Sequence, residues 1–188
     1  MVLAHHPVGS AFASLDNVMH LQTDLLVDIG ILVNIAEKLL EKRIQKVNRE
    51  ISSLNHYRAL DIAKILDIDV MCLHTPSDNM VYDFLKKKVN KEKPETVGQI
   101  LKILKKIPEY RYASLRGAGP KIFVGKAHSR CGKIAFTEVT GGTAGAKEMY
   151  EYLARAGVGT IIGMHMKEDY REEAYKNHIN VIIAGHMS

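Results

Sequence analysis

Nine histidines occur in the 188 residues, and five of them follow short β-rich apolar runs. His5 and His6 come after residues 2–4, His74 after 68–73, His165 after 160–162 and His186 after 181–184. In a parallel α/β sheet the carboxyl ends of the strands share one edge, and ligands bind in the crevice there. Imidazoles scattered along the sequence thereby become a cluster. Asp78, four residues beyond His74, adds a carboxylate, and a mixed nitrogen and oxygen donor set suits zinc, iron, manganese or a similar divalent ion. Adjacent residues on an extended strand point to opposite faces, so a single ion rarely takes both His5 and His6, and the pair can instead face two ions. Pro7 keeps His6 near extended geometry. Two ions about 3.5 to 4 Å apart are the usual device for activating a water nucleophile and clamping a phosphate or carbonyl. Plainer readings exist for each group: a surface pair at a strand end for His5 and His6, a helix N-cap for Asp78, a packed or edge histidine for His165.

Strands that end together are needed to gather these groups. Short β-rich runs alternate with helical patterns along the chain, as in a parallel sheet with crossover helices. After the first strand a loop is expected through Gly9, Ser10, Asp16 and Asn17. From Asn34, an N-cap candidate, Ile35, Leu39, Leu40, Ile44, Val47 and Ile51 make one apolar helical stripe. A second helix carries Leu54, Tyr57, Ile62, Ala63 and Leu66. The strand at 68–73 then ends in the turn formers His74-Thr75-Pro76-Ser77-Asp78-Asn79. A polar linker at 90–95 leads to Thr96, which caps a helix closed by Pro108, and residues 111–125 read as β-structure broken by Gly117, Gly119 and Pro120. The last third has the clearest rhythm: strand 134–139, a Gly-rich loop 140–145, a helix to about Ala156, strand 160–162, a helix from Glu168 and strand 179–184. That is a doubly wound pattern.

Composition narrows the class. With 46% hydrophobic and 25% charged residues the chain is neither disordered nor collagen-like, and no apolar stretch approaches the roughly 20 residues that span a bilayer. The first residues show no basic segment followed by an apolar one, so no secretory signal is expected; two cysteines make no disulfide framework. A reducing cytoplasm is the expected setting. Of 26 Lys and Arg, 14 fall in residues 86–133 against only Glu92, Glu95 and Glu109, leaving +11 there and −6 elsewhere. A solvated basic face explains this, and so does attraction of a phosphorylated substrate. Nucleic acid is not the expected partner, because no Trp and few aromatics interleave with the lysines. Cys72 reads as a buried thiol, whereas Cys131, beside His128, Arg130 and Lys133 in sequence, would have a lowered pKa if those groups were close in space. The Gly141 to Gly145 loop is either a tight strand-to-helix turn or a set of N–H groups offered to an anion.

The sequence resembles the Nif-three-like proteins (NGG-one-interacting factor three), also known as GTP cyclohydrolase I type 2 homologues. The resemblance is carried by Leu3-Ala4-His5-His6-Pro7, His74-Thr75-Pro76-Ser77-Asp78, Glu138-Val139-Thr140-Gly141-Gly142-Thr143-Ala144-Gly145 and Ala184-Gly185-His186, and is weakest between 79 and 133. It implies an α/β fold of mostly parallel sheets with crossover helices, a dinuclear metal site and a ring-like homohexamer. It further implies that His5, His6, Asp78 and His186 are metal ligands, with Asp78 the bridge. His74 is read as supporting Asp78 or a bound water from behind. Members typically carry a further Glu ligand about four residues after the last His, and some sixty residues before the double His, so this chain is read as truncated at both ends. Many relatives have an acidic residue where Met164 follows Gly163, so any role of that residue does not transfer.

The expected organisation is an α/β metal-binding core from residues 1–79 and 134–188 with a basic intervening segment, 80–133. The expected function is that of a metal-dependent hydrolase holding two divalent ions and acting on a phosphorylated or nucleotide-like small molecule. Gly141, Gly142, Thr143 and His165 are the candidate substrate contacts; no general acid is identified. The rival from another class is a non-enzymatic metal-binding scaffold or adaptor within a homo-oligomeric ring.

Overall fold

A computed structural model describes residues 1–188 apart from Glu138, Gly141 and Ser188. In chain order its elements are β1 (Val2–Ala4), α1 (Ser10–Ala13), a 3-10 turn (Leu15–His20), α2 (Leu21–Ile29), α3 (Val33–Ser52), α4 (Arg58–Ile65) and β2 (Val70–Cys72). Then come α5 (Thr75–Glu92), α6 (Val97–Lys105), α7 (Pro108–Leu115), β3 (Lys121–Val124), β4 (Lys133–Phe136), α8 (Met149–Arg155), β5 (Val158–Gly163), α9 (Glu168–Lys176) and β6 (Asn180–Ile183). The fold is mixed α/β with mostly parallel pairing, as expected.

The strands form two sheets. β1 and β2 pair in parallel, with Ala4 opposite Cys72. The larger sheet has the order β3-β6-β5-β4; β4, β5 and β6 are parallel and β3 runs antiparallel along β6. Alternation decides where its side chains go. Ala135, Ile161 and Val181 face a core shared with α3, α8 and α9. Their neighbours Phe136, Ile162 and Ile182 face a second core with α5, α6 and α7. Both faces are therefore covered, which is why β5 and β6 read as continuous apolar runs. Each such side chain removed from water contributes about 1.5–3 kcal/mol. No helix among the described residues is long and apolar enough to cross a membrane.

Several local expectations change. Strand ends meet across two sheets, not along one edge. The segment after β1 is helical through α1, the 3-10 turn and α2, because Phe12, Leu15 and Met19 pack with Val47 and Ile51 of α3. Helix α3 starts a residue before Asn34, with Leu32 as its N-cap. α5 runs through half of the expected linker, to Glu92. Residues 111–115 are helical: the fixed φ of Pro108 and its missing N–H, which stop α6, equally suit the first position of α7. Thr96 does cap α6, in a reciprocal capping box with Gln99.

Candidate metal centre

The amphipathic register of α5 places the carboxylate. Asp78, Val81, Leu85 and Val89 are its buried residues, spaced three and four apart and so on one face. Because the apolar members are committed to the core, Asp78 is carried inward with them and is only 2% exposed. It sits within the first turn of α5, where the helix dipole favours negative charge. His74 is the N-cap residue but gives no side-chain cap, so Asp78 is not the N-cap that its type alone suggested. One helical turn then brings His74 Nε2 to 3.4 Å from Asp78 Oδ2.

The strand ends deliver the other rings. The Leu73 N–H donates to the Ala4 carbonyl at 3.0 Å, which ties the exits of β1 and β2 together and sets the His5 and His74 rings 4.9 Å apart, centroid to centroid. His5 Nε2 lies 3.5 Å from Asp78 Oδ1. In the larger sheet the Ala184 N–H donates to Gly163 O at 2.8 Å, so the chain leaves β5 and β6 side by side and His165 and His186 stand 5.5 Å apart. The His186 ring is 5.4 Å from that of His5 and 5.6 Å from that of His6. Four strand exits from two sheets thus converge on one cluster. His5 and His6 do not diverge as strand alternation would require, because the chain bends just after Ala4, and their rings lie 5.0 Å apart.

Among the described residues two donor triads result, His5 with His6 and His186, and His5 with His74 and Asp78; within each, one ligand atom per residue lies within 4.8 Å of the others. His74 belongs to the second of these triads, beside Asp78. Burial pushes the His74 imidazole below its ordinary pKa against the pull of Asp78, and it lowers that of His186, with His165, His5 and His6 adding to the effect. Burial likewise lowers His165. Neutral imidazole is the form that binds a metal. Asp78 Oδ1 and His74 Nδ1 are buried and make no hydrogen bond with any described residue, and an unsatisfied buried acceptor costs about 1–3 kcal/mol or more when charged. A divalent cation offsets that cost, so the residues present fit a metal.

The loop after β4 roofs the cluster. A small cavity of about 10 Å³ is bounded by His74, Asp78, His165 and His186 on one side and by Thr140, Gly142 and Thr143 on the other; Gly141 lies outside the described residues. Gly142 has φ +100°, and a Cβ there would stand 3.0 Å from Met19 Cγ, so glycine is required. Helix α8 begins only at Met149, which makes 142–145 a braced loop, not a helix N-terminus. Its braces were not visible in the sequence. Gln22 Nε2 donates to Thr143 O at 2.7 Å, Arg43 Nε to Ala144 O at 2.9 Å, the Tyr170 hydroxyl to Gly145 O at 2.8 Å and the Thr140 hydroxyl to Asn79 Oδ1 at 2.7 Å.

Comparison with known proteins bears on the fold. No protein-family model and no curated protein matches the sequence. Among solved structures, the crystal structure of a NIF3 superfamily protein from Sphaerobacter thermophilus superposes with a TM-score of 0.80 over 98% of this chain and 68% of that one, at 24% identity. The chain has the NIF3 fold. Within that NIF3 fold the strand exits carry His5, His6, His74, His165 and His186. Cys131, by contrast, is remote in character: burial raises its pKa and its thiol donates to Pro94 O at 2.9 Å, so the neighbouring basic residues do not activate it.

Proposed function

We propose that this chain is a NIF3-family metal-dependent hydrolase that binds two divalent ions through His5, His6, Asp78 and His186 and acts on a phosphorylated or nucleotide-like small molecule. The observation that carries the reading is Asp78: a buried carboxylate with one oxygen toward His5 and the other toward His74, and with no hydrogen bond from a described residue at Oδ1. The two triads share His5, which supports two neighbouring cations, with Asp78 as the bridge in this reading. His74 holds Asp78 in position and is itself close enough to bind. Divalent ions supply Lewis acidity and charge neutralisation toward an anionic substrate. The chain's own part is to hold that substrate: Thr143 and the backbone of Gly142 stand across from the imidazoles, Gln22 fixes the Thr143 carbonyl, and His165 is the substrate contact at the rim. In this reading the protein works in the cytoplasm as a homo-oligomeric ring of six.

Metal content by plasma mass spectrometry, together with a panel of phosphoesters and nucleoside triphosphates, tests it on wild type and Asp78→Ala. Wild type is expected to hold divalent metal and hydrolyse a member of the panel, and the variant to lose both. A wild type that cannot be loaded with metal overturns the reading; one that is fully loaded yet inert across the panel leaves the metal site and replaces the hydrolase with the scaffold.

A further inference from the structure

Behind the loop that roofs the metal cavity lies a second concavity, about 450 Å³, between α3 and the segment entering α8. Its wall on α3 carries Lys38, Lys42 and Lys46 at successive four-residue spacings with Arg43 beside them, and Lys147 faces them from the other bank. Glu148 and Asp169 are the acids among its lining residues. Stacking like charges four residues apart destabilises a helix by about 0.2–0.5 kcal/mol per pair, so this stripe is retained against its local cost. Lys38 pairs with Glu41 and Lys46 with Glu50, both solvent-exposed and worth little. Lys42 and Lys147 make no ion pair with any described residue. Leu39, Ala146 and Tyr170 give the groove an apolar floor.

The geometry points to this groove as a binding site for an oligophosphate chain of two or three phosphoryl groups, as carried by nucleoside di- and triphosphates, with Lys42 and Lys147 as its two clamping cations. Flexible ammonium groups on both banks can reach successive phosphates. A concavity on the scale of small-molecule sites favours such a ligand over a nucleic acid, which needs an extended basic track and stacking aromatics. The groove also shares a wall with the metal cavity. Arg43 and Tyr170, which line it, hold the carbonyls of Ala144 and Gly145, in the loop whose Gly142 and Thr143 line the other side. A ligand in the groove is therefore one loop away from the metal centre.

Isothermal titration of the full chain with inorganic tripolyphosphate tests the site, on wild type, Lys42→Ala/Lys147→Ala, Asp78→Ala and a control pair, Lys64→Ala/Lys91→Ala, which removes equal charge from exposed positions outside the groove. Binding is expected in wild type, in Asp78→Ala and in the control, and about tenfold or more weaker in the groove variant, because charge-assisted hydrogen bonds dominate phosphate affinity. Thermal melts of the variants report folding independently. Equal binding by the groove variant and wild type overturns the proposal, as does loss in Asp78→Ala alone, which would assign the ligand to the metal centre. Equal loss in the control reduces it to net charge. Absence of tripolyphosphate binding with retention of an RNA oligonucleotide replaces it with a nucleic-acid surface.

Discussion

The two sheets contribute to one site from opposite conditions of burial. β5 and β6 are buried on both faces, with Ile161, Ile162, Val181 and Ile182 fully inaccessible. β1 and β2 are three residues each, and Val2, Leu3, Met71 and Leu73 are exposed. His165 and His186 thus hang from a rigid platform, while His5, His6 and His74 hang from a thin one. What holds the thin sheet in place is α5, whose Val81, Leu85 and Val89 are anchored in the core of the larger sheet. The lesson is that donor geometry here depends on a helix attached to one sheet and aligned with the end of the other.

The contrast can be broken most severely from the buried side. Ile161→Ala, at a fully buried position, is expected to cost about 2–5 kcal/mol through lost transfer energy and a cavity, read by urea denaturation. Leu3→Ala, at a residue 58% exposed, is expected to stay within about 0.5 kcal/mol. A cost for Leu3→Ala comparable to that for Ile161→Ala would mean the thin sheet is covered in solution.

A smaller effect is expected at the exit of β6. Gly185 has φ +83° and a Cβ there meets only Ala118 O at an ordinary 3.5 Å, so Gly185→Ala is penalised by backbone conformation alone, about 1–2 kcal/mol. Since this residue aims His186, bound metal should fall by more than the stability change accounts for; unchanged metal content with a shifted melt would separate the turn from the site. The mildest probe is thiol labelling. Cys131 is buried and its pKa is raised by desolvation, so less thiolate is present at neutral pH, whereas Cys72 on β2 is half-buried. Iodoacetamide followed by peptide mass mapping should modify Cys72 first. Faster labelling of Cys131 would show that the larger sheet opens more readily than its packing implies.

Much of the last third was legible because its information is local. The continuous apolar runs of β5 and β6 and the placing of histidines just past them follow from near neighbours in the chain, as does the Thr96 cap further upstream. Residues 111–115 misled for the same reason: Pro108 marks both an end and a beginning, and only the packing of Tyr110 into the core with α6 selects the second. Asn79, Gln22 and Arg43 carried no signal, since their partners lie in a loop far along the chain.

By itself the sequence determined which residue types stand at strand exits, that an acid follows His74 by one helical turn, and that the chain is α/β with largely parallel strands. Tertiary structure alone decided that the exits of two separate sheets meet, that His5 and His6 turn to the same side, and that Asp78 is buried between imidazoles. The physical reason is that spacing along a chain fixes the direction of a side chain relative to its own element, whereas the position of one element against another is set by how apolar faces pack. The cluster exists because α5 satisfies both sheets at once.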